Sequence, residues 1–226
     1  MRTTGNVERA DARAVLWDLD GTLVDSTEYH FRSWLEPLRR EGVNLTRADF
    51  LATFGQRNDT ILRGWLGRDA DPARIQRVAD AKEAGYRAMI EAEGLEPLPG
   101  AAHWVRALHE AGWRQAIASS APRLNVDVVK AVLGFGDLIE ATVSADDVHV
   151  GKPDPEVFLT AAAKLGVPPH RCVVVEDAPA GVEAAHRGGM RCIGVGNGAV
   201  GGADLVVRSL ADLPEDAFDR LLGSAS

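Results

Sequence analysis

"VLWDLDGTLVDS", residues 15–26, sets an apolar run against two aspartates one residue apart, followed at once by Gly-Thr. A strand that ends in Asp18 and Asp20 brings like charges together, and two such carboxylates resist ionising unless a cation sits beside them. The stretch therefore predicts a buried strand, a sharp turn at Gly21 and a cation site at the strand's carboxyl end.

From about residue 100 the chain repeats the strand-then-helix pattern. Helix-like stretches at 101–111, 124–133, 155–165, 179–188 and 214–222 alternate with β-rich runs at 113–119, 139–144, 172–176, 191–195 and 205–207. With AVLW (14–17) ahead of them, these segments predict an α/β fold built on a doubly wound parallel sheet. Ligands of such sheets gather outside the carboxyl ends of the strands, a rule that brings Asp18, Asp20, Ser119, Glu176 and Asp177 together.

Residues 26 to about 94 break the alternation and show only helix signals. Asp25 or Ser26 precedes EYHFRSWLEPL, Thr46 stands three residues before Asp49, and Asp71-Pro72 opens a long segment closed by Gly94. The expected organisation is an all-helical domain, 25–94, inserted into a core of 1–24 and 95–226. Its two short tethers suit a lid.

Bulk properties narrow the partners. A net charge of −8 and a pI near 5.3 oppose a nucleic-acid or anionic-membrane surface, which needs clustered Lys and Arg. Residues 1–14 have no secretory apolar core, and no stretch approaches the roughly 18 apolar residues of a membrane span, so the reading is cytoplasmic. Cys172 and Cys192 read as buried core thiols, neither a disulfide nor a metal pair.

The clustered carboxylates suit phosphoryl chemistry. A phosphoryl group is too anionic to accept attack by a carboxylate unless a metal neutralises part of its charge, and an all-oxygen site of carboxylates and water suits Mg²⁺. Asp18 is then a candidate nucleophile and Asp20 a candidate general acid and base, with Thr22 offering a hydroxyl beside them. The simpler reading is an ordinary Asp-Gly turn. Three remote runs join the cluster: IASSAPR (117–123) with Ser119 and Ser120, VGKPDPEVF (150–158) with Lys152, and VVVEDAPAG (173–181) with Glu176 and Asp177. Taken singly, each has a plain alternative: a turn, a solvated lysine, and a helix cap ahead of Pro179.

Together, DLDGT, the strand-end serine, GKPDP and EDAPAG, in that order, resemble the four motifs of the haloacid dehalogenase superfamily over essentially the whole chain. The resemblance implies a Rossmann-like core with a helical cap and Mg²⁺-dependent transfer through an aspartyl phosphate. It implies Asp18 as nucleophile and metal ligand, and Asp20 as acid/base and ligand through its backbone carbonyl. Ser119 and Lys152 would hold phosphate, while Glu176 and Asp177 complete the metal shell. The founding dehalogenases lack the second aspartate, so Asp20 favours phosphate chemistry.

Within the superfamily, DSTEYHFRSW (25–34) resembles the cap entry of β-phosphoglucomutases, and His30 and Trp34, four apart, share a helix face. Along 72–93, Lys82 occupies a position on the apolar stripe of Ile75, Val78, Ala79, Tyr86, Met89 and Ile90, where a charge needs a partner or must snorkel to water. The mutases place a substrate-contacting lysine at the matching point. Where they carry an arginine in the cap loop, FGQRND (54–59) puts Asn58, with Arg57 one residue early, and ASSAPR is closer to the cap-bearing sugar phosphatases. The leading expectation is a Mg²⁺-dependent phosphatase, acting as a monomer on a small phosphorylated sugar or polyol. The alternatives are β-phosphoglucomutase and an idle binding or regulatory protein on the same fold.

Overall fold

The structure, a computed structural model, describes residues 12–53, 56–196 and 200–223. Residues 1–11, read above for a secretory signal, and Phe54 and Gly55 of the cap loop lie outside the described residues. In chain order the elements are β1 (Ala14–Trp17), α1 (Thr27–Arg40), α2 (Arg47–Thr53), α3 (Asn58–Leu66), α4 (Pro72–Glu93), α5 (Ala101–Glu110), β2 (Arg114–Ala118), α6 (Arg123–Val132), β3 (Ala141–Val143), α7 (Glu156–Leu165), β4 (Cys172–Glu176), α8 (Pro179–Arg187), β5 (Arg191–Val195), β6 (Leu205–Val207) and α9 (Ala217–Leu222). They fall into two compact units, one running to Asp25 and resuming at Leu95, the other Ser26–Gly94.

The first unit carries a six-stranded sheet in the order β3-β2-β1-β4-β5-β6, with every pairing parallel. This is the α/β, Rossmann-like architecture. Every residue of β1 and β4 is buried, because a parallel sheet is covered on both faces and its strands must be apolar throughout rather than alternately. Leu16 lies opposite Ala116 on one side and Val174 on the other. The chain leaves β1 for β2 and β3 on one side and returns to β4 on the other. Strand order therefore reverses at the β1–β4 pair, the place where such sheets hold ligands.

Two kinds of packing hold the sheet. Leu16, Ala116 and Val174 join Phe158, Ala161 and Leu165 of α7 in one apolar cluster. Trp17 meets Phe218 of α9, which also touches Trp104 and Trp113 at ring separations of 5.2 and 5.9 Å. Trp17 Nε1 donates to Gln115 Oε1 at 2.8 Å, and Gln115 Nε2 donates to the Val105 carbonyl at 2.8 Å, so the buried indole and amide are mutually satisfied. Cys172 and Cys192 are free and buried, and burial pushes both thiols up to about 12. They are inert core residues at neutral pH.

The second unit is helical. Thr46 and Asp49 cap α2 reciprocally, with the Asp49 N–H donating to Thr46 Oγ1 at 3.2 Å. Asp71 caps α4 by accepting the Ala73 N–H at 3.1 Å, with Pro72 in the first turn. α1 and α4 enclose a core of Trp34, Leu38, Phe50, Ile61, Leu62, Ile75 and Val78. Among the described residues no helix is long and apolar enough to cross a membrane.

Candidate active site

The first cluster grows from the end of β1. The Asp18 N–H donates to the Val175 carbonyl at 3.0 Å, so the strand ladder itself carries Asp18 into place. Past Leu19 the chain folds back tightly: Gly21 N–H donates to Val24 O at 2.7 Å, and the Leu23 and Val24 N–H groups converge on Leu19 O at 2.9 and 3.1 Å. Gly21 has φ +93°, and a Cβ there would lie 2.1 Å from Asp177 Oδ2. Glycine is required twice over, by conformation and by the closeness of that carboxylate. Gly21→Ala is expected to displace Asp177 and lower turnover by about 100-fold, the cost of roughly an ångström of misplacement. Steady-state kinetics beside a circular-dichroism melt would check it, and unchanged kinetics would exclude the contact's importance.

Lys152 binds the cluster together. Its Nζ donates to Asp18 Oδ1 and Glu176 Oε1, each at 2.5 Å, and to the Ala118 carbonyl at 3.3 Å. The simpler expectation of a solvated lysine fails, since only 8% of its side chain is exposed. Glu176 Oε2 accepts the Ala178 N–H at 2.9 Å, and a Cβ on Gly181 would fall 2.0 Å from the Glu176 Cδ, so α8 enters close against this carboxylate. Burial works against the Lys152 charge, but the Asp18 and Glu176 carboxylates outweigh it and hold the ammonium above its ordinary pKa. Burial pushes the Asp18 carboxyl well up, Lys152 opposing and the carboxylates of Glu176 and Asp177 adding to the rise. Asp177 is pushed up to about 6 by burial and then by Glu176, with Asp20 contributing.

These groups fit a hard cation. Carboxylate oxygens of Asp18, Glu176 and Asp177 lie within 4.8 Å of one another, and one ammonium does not balance three acids. The donors are all oxygen, as Mg²⁺ prefers. Thr22, next after Gly21 in the chain, is fully buried, and its Oγ1 has no hydrogen-bond partner among the described residues. Ser119 is buried at the end of β2, its Oγ accepting the Ala121 N–H at 3.0 Å, which leaves the hydroxyl proton to donate. Its turn role and a phosphate role are thus compatible. Ser120 is exposed.

The remaining expected residues lie in the helical unit. Lys82 does not snorkel: it is 3% exposed, with Nζ 2.9 Å from His30 Nδ1 and 2.8 Å from Glu83 Oε1. The ammonium also lies 5.4 Å from the Trp34 ring centre and 5.5 Å from that of Tyr86, within cation–π range. His30 stacks on Tyr86 at 4.3 Å. Trp34 is a core residue, edge-on to Trp65 at 5.5 Å, so its part in the cluster is as a wall for Lys82. Asn58 Nδ2 donates to Glu83 Oε1 at 2.6 Å. Arg57 stays outside, 81% exposed with Asp59 at 3.4 Å. Glu83 escaped the sequence reading, because residues one apart on a helix do not share a face and the stripe passes through Lys82 alone.

Comparison with known proteins places the chain in a family. The sequence model of the haloacid dehalogenase-like hydrolases matches residues 12–189. Hexitol phosphatase A of Escherichia coli (strain K12) is 35% identical over 208 residues, covering 89% of this chain and 93% of that protein. The beta-phosphoglucomutase of Bacillus subtilis (strain 168) is 33% identical over 208 residues, covering 89% and 91%. The crystal structure of CbbY from Rhodobacter sphaeroides in complex with xylulose-(1,5)bisphosphate superposes with a TM-score of 0.79 at 29% identity, covering 89% of this chain and 96% of that one. With a family match that spans β1, the helical unit and the Glu176–Asp177 pair, the chain belongs to the haloacid dehalogenase-like hydrolases and is a phosphoryl-transfer enzyme of that family.

Proposed function

We propose that the protein is a Mg²⁺-dependent phosphatase of a small phosphorylated sugar or polyol, working through an aspartyl phosphate on Asp18. The observation that carries this reading is the buried Asp18–Lys152–Glu176 triad, with Asp177 alongside and Asp20 two residues further along the same strand exit. Asp18 Oδ attacks phosphorus as the bond to the sugar oxygen breaks, and Asp20 gives that oxygen its proton. Asp20 then takes a proton from the water that attacks the phosphoryl-enzyme, releasing phosphate and restoring Asp18. Lys152, Ser119 and the Thr22 hydroxyl hold the phosphoryl oxygens. Asp18, the Asp20 carbonyl, Glu176 and Asp177 are the residues that would hold Mg²⁺, which supplies charge neutralisation at the phosphoryl group.

In this reading the helical unit is a cap, and the His30–Lys82–Trp34 cluster recognises the sugar or polyol, as the hexitol phosphatase relative suggests. The bacterial mutase relative and the same cluster support a second reading, β-phosphoglucomutase. With either reading we propose a monomeric cytoplasmic enzyme of a small phosphorylated metabolite, without nucleic-acid or membrane partners.

One assay separates the readings: phosphate release from a panel of hexose and hexitol monophosphates, run beside conversion of β-glucose 1-phosphate to glucose 6-phosphate with a bisphosphate primer. The expected result is release from the panel, lost in excess EDTA and restored by Mg²⁺, with little isomerisation. Dominant isomerisation selects the mutase, and turnover in metal-free buffer refutes both. Lys82→Ala is expected to cut sugar-phosphate turnover by roughly 100-fold while affecting acetyl phosphate far less, since binding energy from the remote part of a substrate positions the reacting group. Parallel losses on both substrates would assign Lys82 to stability alone.

A further inference from the structure

Lys152 reaches Asp18 and Glu176 from a loop that belongs to neither of their strands. That loop, residues 148–155, runs from the turn after β3 into α7. A lysine is a flexible stem of four methylenes, so its aim depends on how firmly its backbone is held. Resting on the reading in which Lys152 holds a phosphoryl oxygen, we propose that Glu156, the first residue of α7, is a positioning residue for the reaction. Its carboxylate clasps the backbone of His149 and Val150 and so keeps the Lys152 ammonium on Asp18.

Glu156 Oε2 accepts the His149 and Val150 N–H groups, each at 2.9 Å, and Oε1 lies 2.9 Å from His149 Nδ1. Two consecutive N–H groups that belong to no helix or strand thus find their acceptor in one side chain. The chain beyond Lys152 closes on the same residue: Asp154 N–H donates to Gly151 O at 3.0 Å, and Glu156 N–H donates to Asp154 Oδ1 at 3.0 Å. Arg187 of α8 adds a bond from Nη1 to Pro153 O at 2.9 Å. α7 gives this clasp a rigid reference, because a helix turns about 200° in two residues and Phe158 therefore faces away from Glu156. Phe158 is fully buried in the cluster that includes Leu16 of β1, and its ring centre lies 4.8 Å from Lys152 Nζ. One helix packs on the sheet, lines the ammonium and holds its backbone. The His149 ring is 94% exposed, so the carboxylate's bonds to the main chain carry the role and its bond to the ring does not. A donor fixed in this way needs no reorganisation as charge develops on the phosphoryl oxygens.

The test is a double-mutant cycle between Glu156 and Lys152. Phosphate release from acetyl phosphate and from the fastest monophosphate of the panel is measured in the parent, Glu156→Ala, Glu156→Gln, His149→Ala, Lys152→Ala and Lys152→Ala/Glu156→Ala. Glu156→Ala is expected to lower kcat on both substrates by roughly tenfold to 100-fold with KM little changed, as displacing a donor that acts in the transition state does. In the Lys152→Ala background the same change should cost less than about twofold, since the group it positions is gone. A Gln amide oxygen can accept the same two N–H groups, so Glu156→Gln should stay within about threefold of the parent rate, as should His149→Ala, which keeps both N–H groups. Glu156→Asp, which keeps an acid at the helix start and falls short of the loop, guards against an alanine variant that fails to fold. Exchange of the His149 and Val150 amides, read by NMR, should quicken about fivefold to tenfold in Glu156→Ala, the scale of a hydrogen bond lost from local opening. Unchanged exchange, a parent-like rate in both Glu156→Ala and Glu156→Asp, or an equal loss in both Lys152 backgrounds would overturn the inference and leave the phosphatase reading standing. A parent-like rate in Lys152→Ala, or no phosphate release from any substrate, would overturn that reading and the inference with it.

Discussion

Asp18→Asn is expected to lower phosphate release by at least about 10⁴-fold, the scale on which losing a nucleophile acts, while leaving the fold at least as stable. The substitution removes the atom that attacks phosphorus and puts an amide where a carboxylate stood. It also removes one of three acids crowded within 4.8 Å. Asp18 is 7% exposed, and burial disfavours its ionised form, so a neutral isostere relieves repulsion from Glu176 and Asp177 and leaves Lys152 its contact with Glu176. The melting temperature should therefore match or exceed the parent's, which separates lost chemistry from lost folding. Asp20→Asn differs in kind: the nucleophile remains and proton transfer is impaired, a loss of about 10²–10⁴-fold. A beryllium fluoride adduct, observed by fluorine NMR with Mg²⁺ present, should form on Asp20→Asn and fail on Asp18→Asn. Equal residual activity in the two variants would contradict their separate roles.

That this site was legible before the fold was seen follows from how parallel sheets display themselves. Each central strand is buried on both faces, so it reads as an apolar run, and the polar residue that ends the run lies at the carboxyl edge where ligands sit. Hence β1, β4, β5 and β6 run as expected, and their ends deliver Asp18, Glu176 and Asp177. The edge strand β3 is shorter than its β-rich run. Ile139 is held in a turn by its N–H bond to Phe135 O, and the ladder begins only at Ala141. In the helical unit, α2 and α4 carry the side-chain caps that their sequences announce, whereas neither Ser26 before α1 nor Arg57 before α3 makes a side-chain cap bond. Glu83 lay hidden because its burial depends on a partner 25 residues away. Strand ends and caps are local signals; a polar group drawn inward by a residue on another helix is not.

Lys152→Ala should have the other large effect, and on two quantities that part company. The ammonium touches Asp18 and Glu176 at 2.5 Å each and is 8% exposed. Its removal leaves two buried carboxylates facing each other across a hole, where breaking a buried ion pair from one side costs about 3–5 kcal/mol. Measured in EDTA, the melt should fall accordingly. Mg²⁺ should then raise the melting temperature of Lys152→Ala by more than it raises the parent's, because a cation that binds only the folded state stabilises it by its own binding energy and here also replaces a missing charge. Catalysis should not return with it. The lysine is a fixed donor to a phosphoryl oxygen, and deleting one preorganised donor costs on the order of 10²–10³-fold in turnover. The double variant Lys152→Ala/Glu176→Gln sharpens the contrast: neutralising the acid should recover part of the lost stability, a non-additive result expected of groups in contact, without recovering turnover. If Mg²⁺ restored both stability and rate, Lys152 would be only a counter-charge; if stability in EDTA were unchanged, the triad would not be the electrostatic centre that its distances describe.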